Sequence, residues 1–85
     1  MRVRYTSKFK KQYKKLPEKF QQQFVARLNL LLQDPTNSFL RAHPLKGKFV
    51  GYWSINVNGY LRALYKNLAD ETLIFSFIGS HSQLY

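Results

Sequence analysis

The dipeptide Asn58-Gly59 constrains the fold of this chain more than any other feature of its sequence. Asparagine followed by glycine is the strongest local indication of a β-hairpin, because both residues tolerate the positive φ of a type I′ turn. Before it, the odd-numbered residues from Phe49 to Val57 alternate with the even-numbered ones from Val50 to Asn56 as on the two faces of a strand, and a returning strand is predicted from about 60 to 66. The second half of the chain is therefore expected to contain two neighbouring antiparallel strands.

Helical periodicity dominates the first half of the chain. Residues 2–5 alternate charged and apolar side chains as in a short strand, and either Thr6 or Ser7 can cap a following helix by accepting a backbone N–H. Pro17 interrupts the periodic apolar residues, so a second helix is predicted to begin there and to stop at Asp34-Pro35. The two helices should form an antiparallel hairpin lying on a sheet.

The remaining segments complete one α+β domain over residues 1–85. Residues 35–47 are predicted as a loop, residues 67–71 as a second turn, and residues 72–78 as a last strand rich in β-branched and aromatic side chains. The predicted element order is β-α-α-β-β-β. The helical hairpin should pack on one face of a mainly antiparallel four-stranded sheet.

Side-chain alternation divides this sheet into two faces. With Ala63 and Tyr65 toward the helices, Arg62 and Lys66 point to the opposite face, which we expect no helix to cover. By the same alternation Trp53 belongs to the core, with the other odd-numbered residues of its strand. An arginine and a lysine on one open face are candidate phosphate ligands.

The charge balance restricts the class of partner. Fourteen Lys and Arg against four Asp and Glu give a net charge of +10, which favours nucleic acid, an anionic membrane or an acidic protein. The absence of cysteine excludes a disulfide framework and a thiolate metal site, and two histidines with four scattered acids disfavour any all-protein metal site. No apolar run approaches the roughly 20 residues of a membrane span, and no signal-peptide pattern opens the chain. We therefore expect a cytoplasmic protein without a metal or other cofactor.

The two histidines are candidates for acid–base chemistry. His43 opens the segment His-Pro-Leu-Lys-Gly, and His81 lies beyond the last predicted strand, in a Gly-Ser-His segment expected to be flexible enough to close over a substrate. RNA cleavage by its own 2′-hydroxyl needs a base, an acid and cations around the phosphate. His43 and His81 are predicted to divide the proton transfers, while Arg62 clamps phosphate oxygens.

Further cationic and aromatic residues are candidate contacts to an RNA chain. Lys46 and Lys48 can position the RNA backbone, and the lysines of the first predicted helix form a solvated face suited to affinity or steering. Tyr52 and Tyr60, on the side of the sheet away from the helices, are candidate stacking residues. The predicted RNA-binding residues are Lys8, Lys11, Lys15, Lys46, Lys48, Tyr60 and Lys66.

The ordered set of segments resembles the RelE/ParE superfamily of bacterial toxins, most closely its YafQ-like branch. The resemblance covers nearly the whole chain and is carried by Leu16-Pro17, residues 43–47, Gly51-Tyr52-Trp53, residues 62–66 and residues 78–85. It implies a toxin of a type II toxin–antitoxin pair. Many such toxins cleave mRNA without a metal, often in the ribosomal A site, whereas the ParE branch inhibits DNA gyrase.

The resemblance assigns roles to four residues. His43 matches the histidine of the His-Pro-Leu segment in YafQ-like toxins, where it is implicated in catalysis, and His81 matches the histidine of their Gly-Thr-His tail. Arg62 resembles the transition-state arginine on this strand in RelE-type toxins. Tyr85 lies near the place of a C-terminal tyrosine used by RelE.

Two positions depart from the YafQ-like pattern. Asn56 stands where a catalytic histidine is expected, and Tyr60 stands where an aspartate is expected. These departures favour a mixed site built on His81, Arg62 and neighbouring lysines.

The leading hypothesis is a metal-independent mRNA endoribonuclease (an mRNA interferase) that acts on ribosome-bound mRNA and is neutralised by a cognate acidic antitoxin. Two alternatives stay open at this point. One is a ParE-like inhibitor that binds gyrase without cleaving anything, and the other is a basic RNA-binding module without activity.

Overall fold

A computed structural model describes residues 1–85 as five strands, three α-helices and one 3₁₀ turn. None of the helices is long and apolar enough to cross a membrane. The elements in chain order are β1 (Arg2–Tyr5), α1 (Ser7–Lys14), α2 (Glu18–Gln33), β2 (His43–Pro44), the 3₁₀ turn (Gly47–Phe49), β3 (Trp53–Asn56), β4 (Leu61–Leu68), β5 (Thr72–Ser80) and α3 (His81–Leu84).

The strands form one mixed sheet in the order β1-β5-β4-β3-β2. β1 runs parallel to β5, and the other neighbours are antiparallel. The predicted α+β class is confirmed, but the sheet has five strands rather than four. The additional strand β2 lies in the predicted loop, where His43 pairs with Ser54 and Pro44 with Trp53. A two-residue strand is too short to produce an alternation pattern, and Pro44 is tolerated because β2 is at the sheet edge.

The predicted helical hairpin is confirmed, including Thr6 as the cap of α1. Thr6 Oγ1 accepts from Phe9 N at 3.1 Å, and Pro17 precedes the first turn of α2. The two helices are joined by reciprocal hydrogen bonds, because Tyr13 Oη donates to Gln21 O at 3.2 Å and Gln21 Nε2 donates to Tyr13 O at 3.0 Å. These bonds fix the angle at which the chain turns from α1 into α2.

The β3–β4 hairpin exists, but the predicted type I′ turn is wrong. Positive φ in glycines occurs at Gly47 and Gly51, not at Gly59. The loop is instead closed by the Asn58 side chain, whose Oδ1 accepts from the backbone N of Tyr60 and of Leu61, each at 2.7 Å. An asparagine side chain can replace a backbone turn in this way, so the same residue closes the hairpin by a different bond.

The core lies between the helical hairpin and one face of the sheet. Phe9, Phe24 and Phe75 pack with ring centroids 5.2–5.8 Å apart, and Ala63 and Tyr65 on β4 face them as predicted. Trp53 packs against this core, in agreement with the predicted alternation. The apolar side chains of α1, α2 and the sheet are thereby removed from water, which is the main force that stabilises the fold.

The opposite face of the sheet is partly covered, contrary to the prediction that no helix lies there. Leu64, on the face away from α1 and α2, is 0% exposed, and Leu84 of α3 is 6% exposed. α3 packs against β5 at Gly79, where an added Cβ would lie 3.0 Å from Gln83 Oε1 and 3.5 Å from Leu84 Cδ2. The C-terminal residues therefore form a second, smaller apolar layer, and this layer holds the side chains considered next.

Candidate functional site

The C-terminal segment is a docked helix rather than the flexible closing segment predicted from Gly-Ser-His. Ser80 caps α3 through a capping box, in which Ser80 Oγ accepts from Gln83 N at 3.2 Å and Gln83 Oε1 accepts from Ser80 N at 2.8 Å. Such reciprocal bonds satisfy two backbone donors at a helix start. His81 is therefore held at the first turn of α3, and Leu84 anchors the turn in the apolar layer.

Four aromatic rings meet beside α3, and we call Phe49, Tyr52, Phe77 and Tyr85 the aromatic cluster. The ring of Phe49 lies 5.9 Å from that of Tyr52, 5.7 Å from that of Phe77 and 5.6 Å from that of Tyr85. In all three pairs the ring planes meet nearly edge-to-face, at 75–88°. Tyr85 is 42% exposed, so the cluster offers aromatic surface to the solvent. Such surface can stack on nucleobases.

Three lysines stand over this cluster. Lys8 Nζ lies 5.1 Å from the Phe77 ring centroid, Lys48 Nζ lies 5.4 Å from that of Phe49, and Lys66 Nζ lies 4.5 Å from that of Tyr52. Contacts of this length between an ammonium group and a ring face are attractive. They also keep three positive charges above one small area, which is an arrangement that binds a phosphate chain.

Lys8 reaches this face because α1 continues the edge of the sheet where β1 ends. β1 pairs with β5 only as far as Tyr5 and Phe75. Beyond that point Thr6 N donates to Phe75 O at 3.0 Å, and Gln12 Oε1 accepts from Ile78 N at 2.9 Å. The backbone of Thr6 and the side chain of Gln12 thus satisfy an edge that would otherwise expose free backbone groups. The same placement puts Lys8 beside Phe77.

His81 and Tyr85 are neighbours at the margin of the aromatic cluster. Their ring centroids are 4.7 Å apart, and Tyr85 N donates to His81 O at 2.8 Å across the single turn of α3. His81 is exposed, so its imidazole can exchange a proton with a bound ligand. The structure therefore brings together five of the predicted site residues, namely His81, Tyr85, Lys8, Lys48 and Lys66.

His43 lies on the same face of the sheet as the aromatic cluster, but three strands away from Phe77. The registers place His43, Ser54, Leu64 and Phe77 in one row across four adjacent strands. With about 4.8 Å between strands, His43 is about 14 Å from Phe77 along the sheet. The His43 ring is exposed, and its Nδ1 donates to Arg41 O at 2.8 Å, which leaves Nε2 available.

Arg62 lies on the predicted face but is directed toward the hairpin. It pairs with Asn56 on β3 and with Gly79 on β5. Its Nη1 donates to Asn58 O at 2.9 Å and to Leu61 O at 3.0 Å. The guanidinium therefore stabilises the hairpin turn in this structure. To bind a phosphate through Nη1, Arg62 has to break its hydrogen bond to Asn58 O, to Leu61 O or to both.

The other predicted RNA-binding residues lie outside the aromatic cluster. Tyr60, in the hairpin loop, is 59% exposed, and Lys46 is exposed just before the 3₁₀ turn. Lys11 and Lys15 are exposed on and just after α1. Because the three lysines are solvated, they suit long-range attraction of a polyanion better than chemistry, whereas the exposed ring of Tyr60 suits stacking.

Two aromatic residues of the cluster were not predicted as site residues. Strand alternation assigns Phe49 to the helix-facing side, but the 3₁₀ turn and Gly51, at φ 93°, interrupt the strand before Trp53. Phe49 thereby joins Tyr52 on the other face. Phe77 shows only the alternation of its strand, and no local pattern marks it as part of a site.

No group of three or more His, Cys, Asp or Glu side chains is placed to hold a metal ion. The site consists instead of one imidazole, the two phenols of Tyr52 and Tyr85, three ammonium groups and the rings of Phe49 and Phe77. This set can donate or accept protons, bind phosphate oxygens and stack on bases.

The chain matches one protein family over its whole length. The family described as "Bacterial toxin of type II toxin-antitoxin system, YafQ" matches residues 1–85. Comparison with curated protein sequences gives no match.

Solved structures share the fold. The crystal structure of YafQ from E. coli strain BL21(DE3) is 24% identical, with a TM-score of 0.82 over 100% of this chain and 99% of that chain. The toxin chain of the E. coli DinJ-YafQ complex is 24% identical, with a TM-score of 0.80 over 100% of this chain and 99% of that one. A metal-bound toxin from Helicobacter pylori is 26% identical, with a TM-score of 0.74 over 100% and 99% of the two chains.

Proposed function

Because this chain belongs to the YafQ family of bacterial toxins of type II toxin–antitoxin systems, we propose that it cleaves ribosome-bound mRNA without a metal ion and so arrests translation. The observation that carries this proposal is the placement of His81 beside Tyr85 and the lysine-covered aromatic cluster. A protein that only binds a partner needs no imidazole held at such a surface.

The proposed reaction is transesterification within the RNA. The 2′-oxygen attacks phosphorus, the bond from phosphorus to the 5′-oxygen breaks, and the products are a 2′,3′-cyclic phosphate and a 5′-hydroxyl. The proton of the 2′-hydroxyl must be removed and the departing 5′-oxygen must gain one. We assign one of these transfers to the His81 imidazole and the other to the Tyr85 hydroxyl beside it.

Positive charge stabilises the pentavalent phosphorane of this reaction. Lys8, Lys48 and Lys66 are in place to supply it, and ammonium groups fixed near developing negative charge lower the barrier. Arg62 adds a further positive charge when its guanidinium releases the carbonyls of Asn58 and Leu61. The sheet registers put the backbone of His43 three strands away from Phe77 of the aromatic cluster, so we propose that His43 contacts a neighbouring nucleotide of the same RNA.

The proposed partner for neutralisation is a cognate acidic antitoxin. The E. coli toxin of the same fold was crystallised with its partner DinJ. A net charge of +10 favours association with an acidic segment, and such attraction mainly raises the rate of encounter. The substrate places the protein's action in the cytoplasm, where ribosomes translate mRNA.

Induced expression followed by mapping of mRNA 5′ ends tests the proposal. We expect growth arrest and new 5′ ends inside translated regions, at a fixed position within codons. His81→Gln should lose cleavage by about 10²- to 10⁴-fold while keeping the fold and antitoxin binding. His43→Gln is the matched variant, and its loss should be smaller. Arrest without mRNA cuts, together with inhibited DNA supercoiling, would favour the gyrase alternative.

A further inference from the structure

A cavity of about 320 Å³ lies beside the aromatic cluster, between α1, the 3₁₀ turn and α3. The rings of Phe49 and Phe77 line it, 5.7 Å apart and at 75° to each other, together with the side chains of Lys8 and Lys48. This volume falls in the range of about 300–1,000 Å³ that is typical of small-ligand pockets. The reaction proposed above uses Lys8 and Lys48 of this lining but assigns no role to the cavity itself or to its glutamines.

Two glutamines in the cavity have amide groups whose orientation is fixed. Gln12 Oε1 accepts from Ile78 N at 2.9 Å, and Gln83 Oε1 accepts from Ser80 N at 2.8 Å. A backbone N–H only donates, so the atom that faces it must be the amide oxygen and not the nitrogen. Each glutamine therefore holds its oxygen against the backbone and leaves its –NH₂ group available.

The polar side chains of the cavity thus offer hydrogen-bond donors. The free donors are the two amide –NH₂ groups and the ammonium groups of Lys8 and Lys48, while each amide oxygen already accepts one backbone hydrogen bond. A ligand that fits must present acceptors, carry negative charge and have a flat apolar surface for the aromatic walls. A nucleotide has all three.

We propose that this cavity binds one nucleotide of the RNA and selects keto bases, guanine and uracil, over amino bases, adenine and cytosine. Guanine presents O6 and N7 as adjacent acceptors, whereas adenine presents its N6 amino group beside N7. An amino group facing the –NH₂ of Gln12 or Gln83 leaves two donors opposed and unpaired. Single-stranded RNA exposes these edges, and aromatic side chains stack on the bases. The inference rests on the proposed action on RNA and adds the base that the site accepts.

Titration with two mononucleotides tests the selection directly. Inosine monophosphate and adenosine monophosphate differ at C6, where the first has a carbonyl and the second an amino group. In ¹⁵N NMR spectra of the purified toxin we expect inosine monophosphate to shift the side-chain –NH₂ signals of Gln12 and Gln83. Its Kd should be lower than that of adenosine monophosphate by about 5- to 100-fold. Equal Kd values, or shifts confined to other residues, would overturn the proposal.

The variant Gln83→Glu tests the role of the Gln83 –NH₂ group as a hydrogen-bond donor to the base. Glutamate retains an oxygen for Ser80 N, and glutamate serves in a capping box as well as glutamine does, so α3 is expected to stay docked. The –NH₂ group is replaced by a carboxylate oxygen that accepts. Binding should weaken for both nucleotides because of the added charge, but the preference for inosine monophosphate should be lost or reversed. Gln33→Glu makes the same charge change at the exposed end of α2 and should keep the preference.

The binding measurement separates this inference from the proposed function, because no RNA is cleaved in it. If mRNA mapping shows no cleavage but the preference for inosine monophosphate and its response to Gln83→Glu are found, the cavity assignment stands and the nuclease assignment fails. If cleavage is found and the wild-type toxin binds both nucleotides equally, or Gln83→Glu leaves their ratio unchanged, the nuclease assignment stands and the cavity assignment fails.

Discussion

Replacement of Arg62 by alanine distinguishes a structural role of this side chain from a role in chemistry. Its Nη1 donates to the carbonyls of Asn58 and Leu61, which belong to the loop that closes the β3–β4 hairpin. Hydrogen bonds from a charged group contribute about 1.5–3 kcal/mol when they are shielded from water. Arg62 is half-buried, so we expect Arg62→Ala to lower the free energy of unfolding by about 1–3 kcal/mol. In a domain of this size each kcal/mol lowers Tm by about 4–8 °C.

Urea unfolding followed by the fluorescence of the single tryptophan, Trp53, measures this loss of stability. Trp53 reports on it because it lies on β3, one strand of the hairpin, and packs against the core. The matched variant is His81→Gln, whose exposed side chain makes it a surface change that should stay within about 0.5 kcal/mol of the wild type. Cleavage of ribosome-bound mRNA by both variants is then compared at a temperature where each is fully folded.

The two measurements together decide the role of Arg62. A loss of stability with cleavage retained assigns the side chain to the hairpin alone, and a loss of both assigns it to the hairpin and to the phosphate. If Arg62→Ala unfolds at the urea concentration of the wild type, the two hydrogen bonds do not stabilise the hairpin and the structural reasoning is refuted.

Two further predictions concern pH and metals. Burial raises the pKa of Tyr65 above its ordinary value of 10.0. The contribution of the neutral phenol to stability is therefore present below about pH 10 and is lost as the pH rises through the raised pKa. Tyr65→Phe should flatten the fall in unfolding free energy above pH 10, and an unchanged slope would contradict this. A chelator should leave cleavage by the purified toxin unchanged when magnesium is supplied for ribosome integrity, because no cluster of metal-binding side chains is present. If the chelator abolishes cleavage and only a transition metal restores it, this prediction is wrong.

The sequence was sufficient for elements that depend on local signals. Thr6 caps α1 because its side chain precedes a helical pattern, and α2 begins directly after Pro17, which cannot continue α1 as a helix interior residue. The alternation of β4 also placed Ala63 and Tyr65 in the core and Arg62 on the other face. These features follow from the residue itself and its near neighbours.

Features that depend on distant contacts could not be predicted in the same way. The Asn58 turn differs because a side-chain oxygen competes with the backbone geometry that Asn-Gly usually favours, and its amide also donates to Gln23 of α2 at 2.8 Å. The last residues form a helix because Ser80 and Gln83 cap it and Gly79 leaves room for it on the sheet. A four-residue helix gives no periodic pattern, and its capping box and its docking stabilise it rather than its helix propensity.

The aromatic cluster explains why reasoning from motifs identified single residues of the site but not the surface they form. Its rings come from the 3₁₀ turn, the segment before β3, the middle of β5 and the chain end, while Lys8 comes from α1. No spacing in the sequence links these positions, because they meet only after β5 pairs with β4 and α3 folds back. The same contacts that bury Leu64 and Leu84 thus bring His81, Tyr85 and the lysines together. A substitution that detaches α3 should therefore remove the proposed proton transfer and the nucleotide cavity at once, although it touches neither His81 nor a lysine.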